Sequence, residues 1–257
     1  MYNFFASRHQ NDNSCYPLGD ADSLRDTSWA FGSTSEGPAN LLVGCDGGPA
    51  YLTGFFTLDY TSFRLDAVGG YDPNCLSVAD SNKGHYRAYL ETFGSVVLSP
   101  IPSRFAEFSD YCVNMRILMN RAHPKAIERG LFTDIDGMTG FVARHRMFQE
   151  RAVPCDSSDS EVEAPFRMVN WPTPANCKPF HEAILHTHKP APVMAFVEGC
   201  SNLIEPSEYV QHLRGSIARV DFGLIHKVVG QEVPASVFLA LIDQIVVLKH
   251  DKANDLI

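Results

Sequence analysis

The stretch SIARVDFGLIHKVV, residues 216–229, is rich in β-branched and aromatic residues and contains no proline. Such side chains pack well on a pleated surface, so the stretch predicts a long β-strand. The next segment, PASVFLALIDQIVVL at 234–248, is apolar nearly all round. Pro234 is favourable in the first turn of a helix, and a helix that is apolar on every side is buried. The segment therefore predicts a buried helix.

The remainder of the chain alternates between strand-like and helix-like segments. Apolar residues at helical spacing predict an amphipathic helix over 104–121, and 177–188 predicts a short one. Aromatic and β-branched runs predict strands, in pairs at 50–68 and 85–98 and singly at 140–153 and 191–199. There is no steady β-α-β alternation, which favours an α+β fold with an antiparallel β-sandwich core and flanking helices. We expect an extended N-terminal arm and loop over 1–40 and a single globular α+β domain over 41–257.

Size and charge narrow the class of protein. The chain has 257 residues, of which 45% are hydrophobic, so it can bury a sizeable core. Its net charge of −9 argues against a surface that coats nucleic acid, and we expect no direct nucleic-acid binding. No apolar run reaches the roughly 18 residues of a membrane helix, and the first residues lack the pattern of a signal peptide. The seven cysteines form no C-x-x-C pair, which is typical of a reducing compartment. These features predict a protein found in the cytoplasm of the producing cell.

Surface composition favours self-association. The chain has 7 Lys and 12 Glu, whereas Arg numbers 14. Depletion of Lys and Glu with enrichment of Arg and aromatic residues is typical of protein–protein interfaces. The polar first 40 residues begin with three aromatic side chains, Tyr2, Phe4 and Phe5, which we interpret as assembly contacts between copies of the chain. The alternative is compositional drift in the source organism.

In length, acidity, aromatic N-terminus and composition, the chain resembles the polyhedrins of insect cypoviruses. The resemblance rests on composition and size and covers no aligned segment. It implies a non-catalytic protein of a viral occlusion body or capsid lattice, a β-sandwich core, trimers, and an N-terminal arm that links them around virions. Under this interpretation the protein is its own partner and needs no cofactor.

The alternative function is a cytosolic hydrolase. The stretch LFTDIDGMTG, residues 131–140, resembles the first motif of haloacid-dehalogenase-type phosphatases, in which an aspartate follows a hydrophobic strand. The resemblance implies Asp134 as nucleophile and Asp136 as acid/base, with Mg²⁺ offsetting their charge. The family has Thr where Met138 stands here. The same residues also fit an Asp-Gly turn between two strands.

Other motifs give weaker signals. Ser28-Trp29-Ala30-Phe31 resembles the nucleophile region of papain-like proteases, but the glycines, serines and proline that follow cannot sustain that family's helix, so a Gly/Ser-rich loop is expected. His181 and His186 are five residues apart, which does not match the H-E-x-x-H spacing of zinc proteases. We expect no metal, catalytic or cofactor-binding residues. A small-ligand binding domain is a third possibility on which the sequence is silent.

Overall fold

The computed structural model describes residues 15–34, 37–75, 84–135, 137–151, 162–230 and 232–248. Within these residues the chain is a mixed α/β protein with a large β-sheet and a few helices. The strands are Cys15–Pro17 (β1), Ser28–Thr34 (β2), Gly37–Val43 (β3), Tyr51–Leu58 (β4), Phe93–Ser99 (β5), Ile127–Arg129 (β6), Phe132–Ile135 (β7), Met138–Arg146 (β8), Phe148–Glu150 (β9), His188–Pro190 (β10), Met194–Val197 (β11), Ile217–Val229 (β12) and Ala235–Val247 (β13). The α-helices are His85–Leu90 (α1), Phe105–Arg121 (α2), Lys178–Ile184 (α3) and Tyr209–Leu213 (α4).

Five of these strands pair in a closed ring. β4 pairs antiparallel with β5, and β5 pairs antiparallel with β8. β8 then pairs parallel with β13. β13 pairs antiparallel with β12 along almost its whole length, and β12 returns to pair antiparallel with β4. The five strands therefore form a barrel with one parallel contact, between the third and fifth of them in chain order.

The remaining strands of the large sheet extend the barrel at its edges. β1 adds parallel to the start of β4, while β6 and β11 add parallel to opposite ends of β13. β3 pairs with β12 near Ile225 and His226, and β2 pairs with β3, so β2 is the outermost strand on that side. β7 forms a hairpin with β8. β9 and β10 form a separate two-stranded sheet.

The barrel interior and one face of α2 form the main hydrophobic core. Phe56 of β4 lies at its centre and contacts the rings of Phe108, Tyr111, Phe141 and Phe222. The helix begins after the 3-10 turn Pro102–Arg104 and buries its apolar residues at helical spacing, which confirms the amphipathic helix predicted from the sequence. A second core lies beneath α1 and α3, around Tyr89, Phe148 and Trp171.

The predicted helix at 234–248 is wrong, because these residues form the central strand β13. Its even-numbered residues Phe238, Ala240 and Ile242 belong to the main core. Leu239 is buried in a third cluster, and Val237 and Leu241 pack against that cluster. A strand that is covered on both faces carries apolar residues on both of them, as β13 does over 237–242, and therefore loses the alternation that identifies a half-exposed strand.

Three further predictions need correction. The strand pair predicted over 85–98 is the helix α1 followed by the strand β5. The loop predicted after Thr27 is the strand β2, in which Trp29 packs against the core and its indole N–H donates to the Leu118 carbonyl oxygen at 2.9 Å. Of the two strands predicted over 50–68, only the first forms, as β4, because turns follow it. The long strand at 217–229 is confirmed.

The described strands of the core do not confirm a two-sheet sandwich, since eleven of them belong to one sheet. Residues 1–14, including the arm contacts Tyr2, Phe4 and Phe5, lie outside the described residues. The rest of the predicted N-terminal segment contributes β1, β2 and part of β3 to the sheet. Among the described residues, no helix is long and apolar enough to cross a membrane.

Candidate functional site

The outer surface of β5 and β8 carries positive side chains beside an aromatic ring. Residues 94, 96 and 98 of β5 are buried, and Val96 and Leu98 belong to the core. Because side chains alternate along a strand, Phe93 and Ser95 point outward. Their cross-strand partners on β8 are Arg146 and Arg144, respectively. All four side chains are partly exposed.

A third arginine extends this surface on the far side of β5. The Arg64 N–H donates to the Ser95 carbonyl oxygen at 2.7 Å, and the Ser95 N–H donates to the Arg64 carbonyl oxygen at 3.3 Å. The next residue, Leu65, is buried in the main core, whereas Arg64 is exposed, so the Arg64 side chain points outward like that of Ser95. Arg64 and Arg144 therefore lie on either side of Ser95, two strand spacings or roughly 10 Å apart. We call the set Arg64, Phe93, Ser95, Arg144 and Arg146 the arginine face.

The charges of the arginine face are open to an anionic ligand at two positions. In the part of the chain that the structure describes, neither Arg64 nor Arg144 forms an ion pair with a carboxylate. Arg64 is exposed, and its aliphatic carbons lie over Gly70, where a Cβ added to the glycine would lie 3.0 Å from the nearest of them. A larger residue than glycine would displace this stem, so Gly70 helps to hold Arg64 beside the strand. On the neighbouring row, the Arg146 guanidinium carbon lies 5.9 Å from the centre of the Phe93 ring.

Two carboxylates near this surface are engaged in their own turns. Asp66 Oδ1 accepts hydrogen bonds from the N–H groups of Val68 and Gly70. Asp59 Oδ1 accepts from both the backbone and the hydroxyl groups of Thr61 and Ser62. Burial acts to raise the pKa of Asp59, but these hydrogen bonds outweigh it and hold the pKa below its usual range. Both carboxylates stabilise the loop that precedes α1.

A cavity of about 680 Å³ lies elsewhere, between α2 and the strands β1, β4 and β12. Four carboxylates line it, together with Arg219 and the rings of Phe55 and Tyr111; they are Asp20, Glu107, Asp110 and Asp221. The Tyr111 hydroxyl donates to Glu107 Oε1, and Arg104 forms an ion pair with the same carboxylate at 2.6 Å. Burial and the bond to Glu107 raise the pKa of Tyr111 to about 12. The cavity has the size of a small-molecule site and an acidic lining.

Asn40, His226 and Ser236 are linked by hydrogen bonds in the order of a catalytic triad, but the histidine cannot act as a base toward the serine. Asn40 Nδ2 donates to His226 Nδ1 at 3.3 Å, and His226 Nε2 lies 2.9 Å from Ser236 Oγ. With Nδ1 accepting, the ring proton is on Nε2, so His226 donates to the serine and cannot take its proton. Ser236 Oγ also accepts the Lys125 N–H, and Ser236 is fully buried. The arrangement satisfies buried polar groups between strands.

The residues of the phosphatase motif lie in a hairpin. Asp134 is an exposed residue of β7, and its Oδ1 accepts the Gly137 N–H at 3.0 Å. This bond belongs to the turn between β7 and β8, as the Asp-Gly turn interpretation expects. Asp136 lies outside the described residues. No group of three or more His, Cys, Asp or Glu residues with metal-binding geometry occurs in the described ranges.

The histidines at 181–188 are not brought together. His181 is buried, where its Nδ1 bonds the Tyr89 hydroxyl at 3.2 Å and its Nε2 donates to the Met168 carbonyl oxygen at 2.9 Å. His186 is exposed, and His188 lies on β10 with Nδ1 2.8 Å from the Thr187 hydroxyl. Ser28, in the stretch that resembles the nucleophile region of papain-like proteases, lies on the strand β2 and not at the start of a helix.

The arginine face leaves no local signature in the sequence. Its residues come from positions 64, 93, 95, 144 and 146, and none of them belongs to a recognisable motif. The signal that was available is the enrichment of arginine over lysine, which indicates contact surfaces but not their place.

Comparisons with known proteins give little guidance. No family model matches the chain, and no curated protein matches it. Among solved structures, the chain is similar to gp2.5, a single-stranded DNA binding protein encoded by bacteriophage T7, with a TM-score of 0.35 and 11% sequence identity. The match covers 79% of this chain and 87% of that one. A TM-score this low does not establish that two chains share a fold.

Proposed function

We propose that the protein binds single-stranded nucleic acid on the arginine face. The observation that carries the proposal is the barrel itself. A five-stranded Greek-key barrel with a single parallel contact between its third and fifth strands has the strand order of the oligonucleotide/oligosaccharide-binding (OB) fold. Proteins with this fold bind their ligands on the face of the second and third strands. Here those strands are β5 and β8, which carry the arginine face.

The side chains of that face suit a single strand better than a sugar or a duplex. Single strands are bound by aromatic rings that stack on bases and by cations that contact phosphates. Phe93 supplies a partly exposed ring, and Arg64 and Arg144 supply guanidinium groups without a carboxylate partner among the described residues. A duplex keeps its bases stacked inside and would leave Phe93 without a partner.

The net charge of −9 supports the opposite expectation, which is no direct nucleic-acid binding. Net charge affects long-range attraction, whereas contact affinity depends on the charges within about one Debye length, roughly 10 Å at 0.1 M salt. Three guanidinium groups lie on one face of two adjacent strands and the segment beside them. We therefore expect moderate affinity at low salt and a steep loss as salt is added.

The proposal is tested by titrating a fluorescently labelled single-stranded oligonucleotide with the full chain at low salt and following anisotropy. Unlabelled single strands, duplex of the same sequence and a neutral oligosaccharide then serve as competitors. The proposal predicts displacement by single strands in preference to the other two. Absence of binding, or displacement by the oligosaccharide alone, contradicts it.

A second candidate is a self-assembling structural protein of a viral occlusion body or capsid. Its support is the low content of Lys and Glu and the exposure of large apolar side chains, among them Phe31 at 80% and Val233 at 66%. Light scattering tests it, because a lattice protein forms large particles in the absence of nucleic acid. Deleting residues 1–12 should reduce this assembly if Tyr2, Phe4 and Phe5 make the contacts.

A further inference from the structure

The strand β2 ends the sheet with an edge that lacks the usual protection. In the described part of the chain, β2 pairs with β3 alone, in continuous register from Ser28↔Val43 to Thr34↔Gly37. Exposed edges are normally blunted by charged residues, proline, bulges or short length. β2 is seven residues long, SWAFGST, with no charge and no proline. On the side of β2 that faces away from β3, no other strand pairs with it in the described ranges, so this side can accept another strand.

The central residue of this edge is also apolar and exposed. Phe31 is 80% exposed, the largest value among the big apolar side chains of the described residues. Its cross-strand partner is Asn40, which is followed on the same row by His226. Trp29, two positions earlier on the same face, contacts His226 and the core, so the backbone of β2 is held in place while the Phe31 ring remains exposed.

We propose that two copies of the chain pair through β2, antiparallel and centred on Phe31, so that one sheet continues from one protomer into its partner. The sequence of the strand favours a second copy as the occupant, because two of the three pairs that flank Phe31 match in size or chemistry, while Trp29 lies opposite Ser33. In an antiparallel pair with that centre, Ala30 lies opposite Gly32, two small residues that allow close approach. Ser28 lies opposite Thr34, and hydroxyl pairs are favourable cross-strand partners. Phe31 lies opposite Phe31 of the second copy, which gives an aromatic pair on one face.

Charge also favours this contact. Two copies that each carry −9 repel one another, and they approach at lowest cost through a surface without charge. β2 and its neighbour β3 are both uncharged. A two-fold contact uses the same strand on both copies and closes after two, so it yields a dimer. In the closed barrel, β3, β12 and then either β4 or β13 lie between β2 and the strands β5 and β8, so the dimer leaves the arginine face accessible.

The test uses opposite charges at the centre of the pair. Phe31→Lys and Phe31→Glu each place like charges opposite one another across the two-fold axis. Either variant alone should raise the dimer dissociation constant more than about tenfold in analytical ultracentrifugation. Mixing the two should restore dimers, because the mixed pair brings Lys opposite Glu. Val169 is 73% exposed on another surface, and Val169→Lys and Val169→Glu serve as matched controls that should dimerise like the wild type.

Each outcome decides for or against the proposal. A wild-type dimer, monomeric single variants and recovery on mixing support the two-fold pairing. Variants that dimerise as the wild type does, or a mixture that stays monomeric, contradict it. A wild-type monomer contradicts it as well, and protection of its β2 amides from hydrogen exchange would mean that another segment of the same chain covers the edge. Since Phe31 is exposed, circular dichroism should show all variants folded, and their affinity for a single-stranded oligonucleotide tests the proposed function independently.

Discussion

The Arg146 guanidinium lies 5.9 Å from the centre of the Phe93 ring, directly across the β5–β8 pair. The contact joins a cation to an aromatic ring on the outer face of the barrel. A cation near an aromatic ring is attracted to its π electrons, so this contact fixes the orientation of a side chain that is only partly buried. Under the proposed function, a ring held in this way needs no further ordering when a base stacks on it.

Phe93→Ala should weaken binding of a single-stranded oligonucleotide by about 1–3 kcal/mol, the usual contribution of one base–aromatic stack. Phe93→Tyr should preserve binding because it keeps the ring. Phe31→Ala removes another exposed ring, on the distant strand β2, and is the matched control with unchanged affinity. Anisotropy titrations at one salt concentration give the three values. Equal affinity for Phe93→Ala and wild type would remove Phe93 from the site.

Phe56 is fully buried among four aromatic rings, so Phe56→Ala should lower the free energy of unfolding by about 3–5 kcal/mol. Phe105 on α2 is 58% exposed, and Phe105→Ala should change that free energy by less than about 0.5 kcal/mol. Urea unfolding followed by circular dichroism provides both values. A small effect at Phe56 would mean that the barrel interior is not the main core.

Acidification should destabilise the protein below about pH 6.5, the ordinary pKa of histidine. Burial lowers the pKa of His181 and of His226, so the unfolded chain binds protons more readily than the folded one. Stability that is present above pH 6.5 is therefore lost as the pH falls, by up to about 1.4 kcal/mol per pH unit for each histidine. Urea unfolding at several pH values measures the slope, and His226→Gln should make it shallower. A free energy of unfolding that is constant between about pH 7 and pH 5.5 would contradict this assignment.

We expect the wild-type protein to have no phosphatase activity, so Asp134→Asn should not change its activity. The Asp134 carboxylate is exposed and accepts the N–H of a hairpin turn, and asparagine can make the same bond. We expect at most a small change in stability, measured by thermal unfolding. The same holds for Asp136→Asn. Hydrolysis of a generic phosphate ester that depends on Mg²⁺ and disappears in Asp134→Asn would instead support the hydrolase alternative.

The sequence predicted the elements whose pattern is local. The spacing of Phe108, Met115 and Leu118 identified α2, and the β-branched run ending at Val229 identified β12. The error at β13 has a physical cause, since Phe238 and Leu239 are buried on opposite faces and a bulge at Asp221 and Phe222 shifts the register with β12. A doubly covered strand and a buried helix share an unbroken apolar pattern.

The arginine face could not be predicted for a different reason. Arg64 and Arg144 are eighty positions apart, and only their pairing on the two sides of Ser95 makes them neighbours. Strand pairing of this kind depends on the closure of the barrel, which no local pattern records. Composition therefore gives the total charge alone, whereas the structure gives its local distribution.

The most direct test of the account is the salt dependence of single-strand binding in wild type, in Arg64→Gln/Arg144→Gln, and in Arg25→Gln. Removing one phosphate contact should reduce the slope of log affinity against log salt by about 0.7, so the double variant should show a slope smaller by about 1.4. Arg25 forms an ion pair with Asp22 at 3.1 Å and lines a small cavity together with residues of α2, so Arg25→Gln should leave the slope unchanged. We therefore expect equal slopes for wild type and Arg25→Gln and a smaller slope for Arg64→Gln/Arg144→Gln. Wild-type protein that fails to bind at low salt, or a double variant with the wild-type slope, would contradict it.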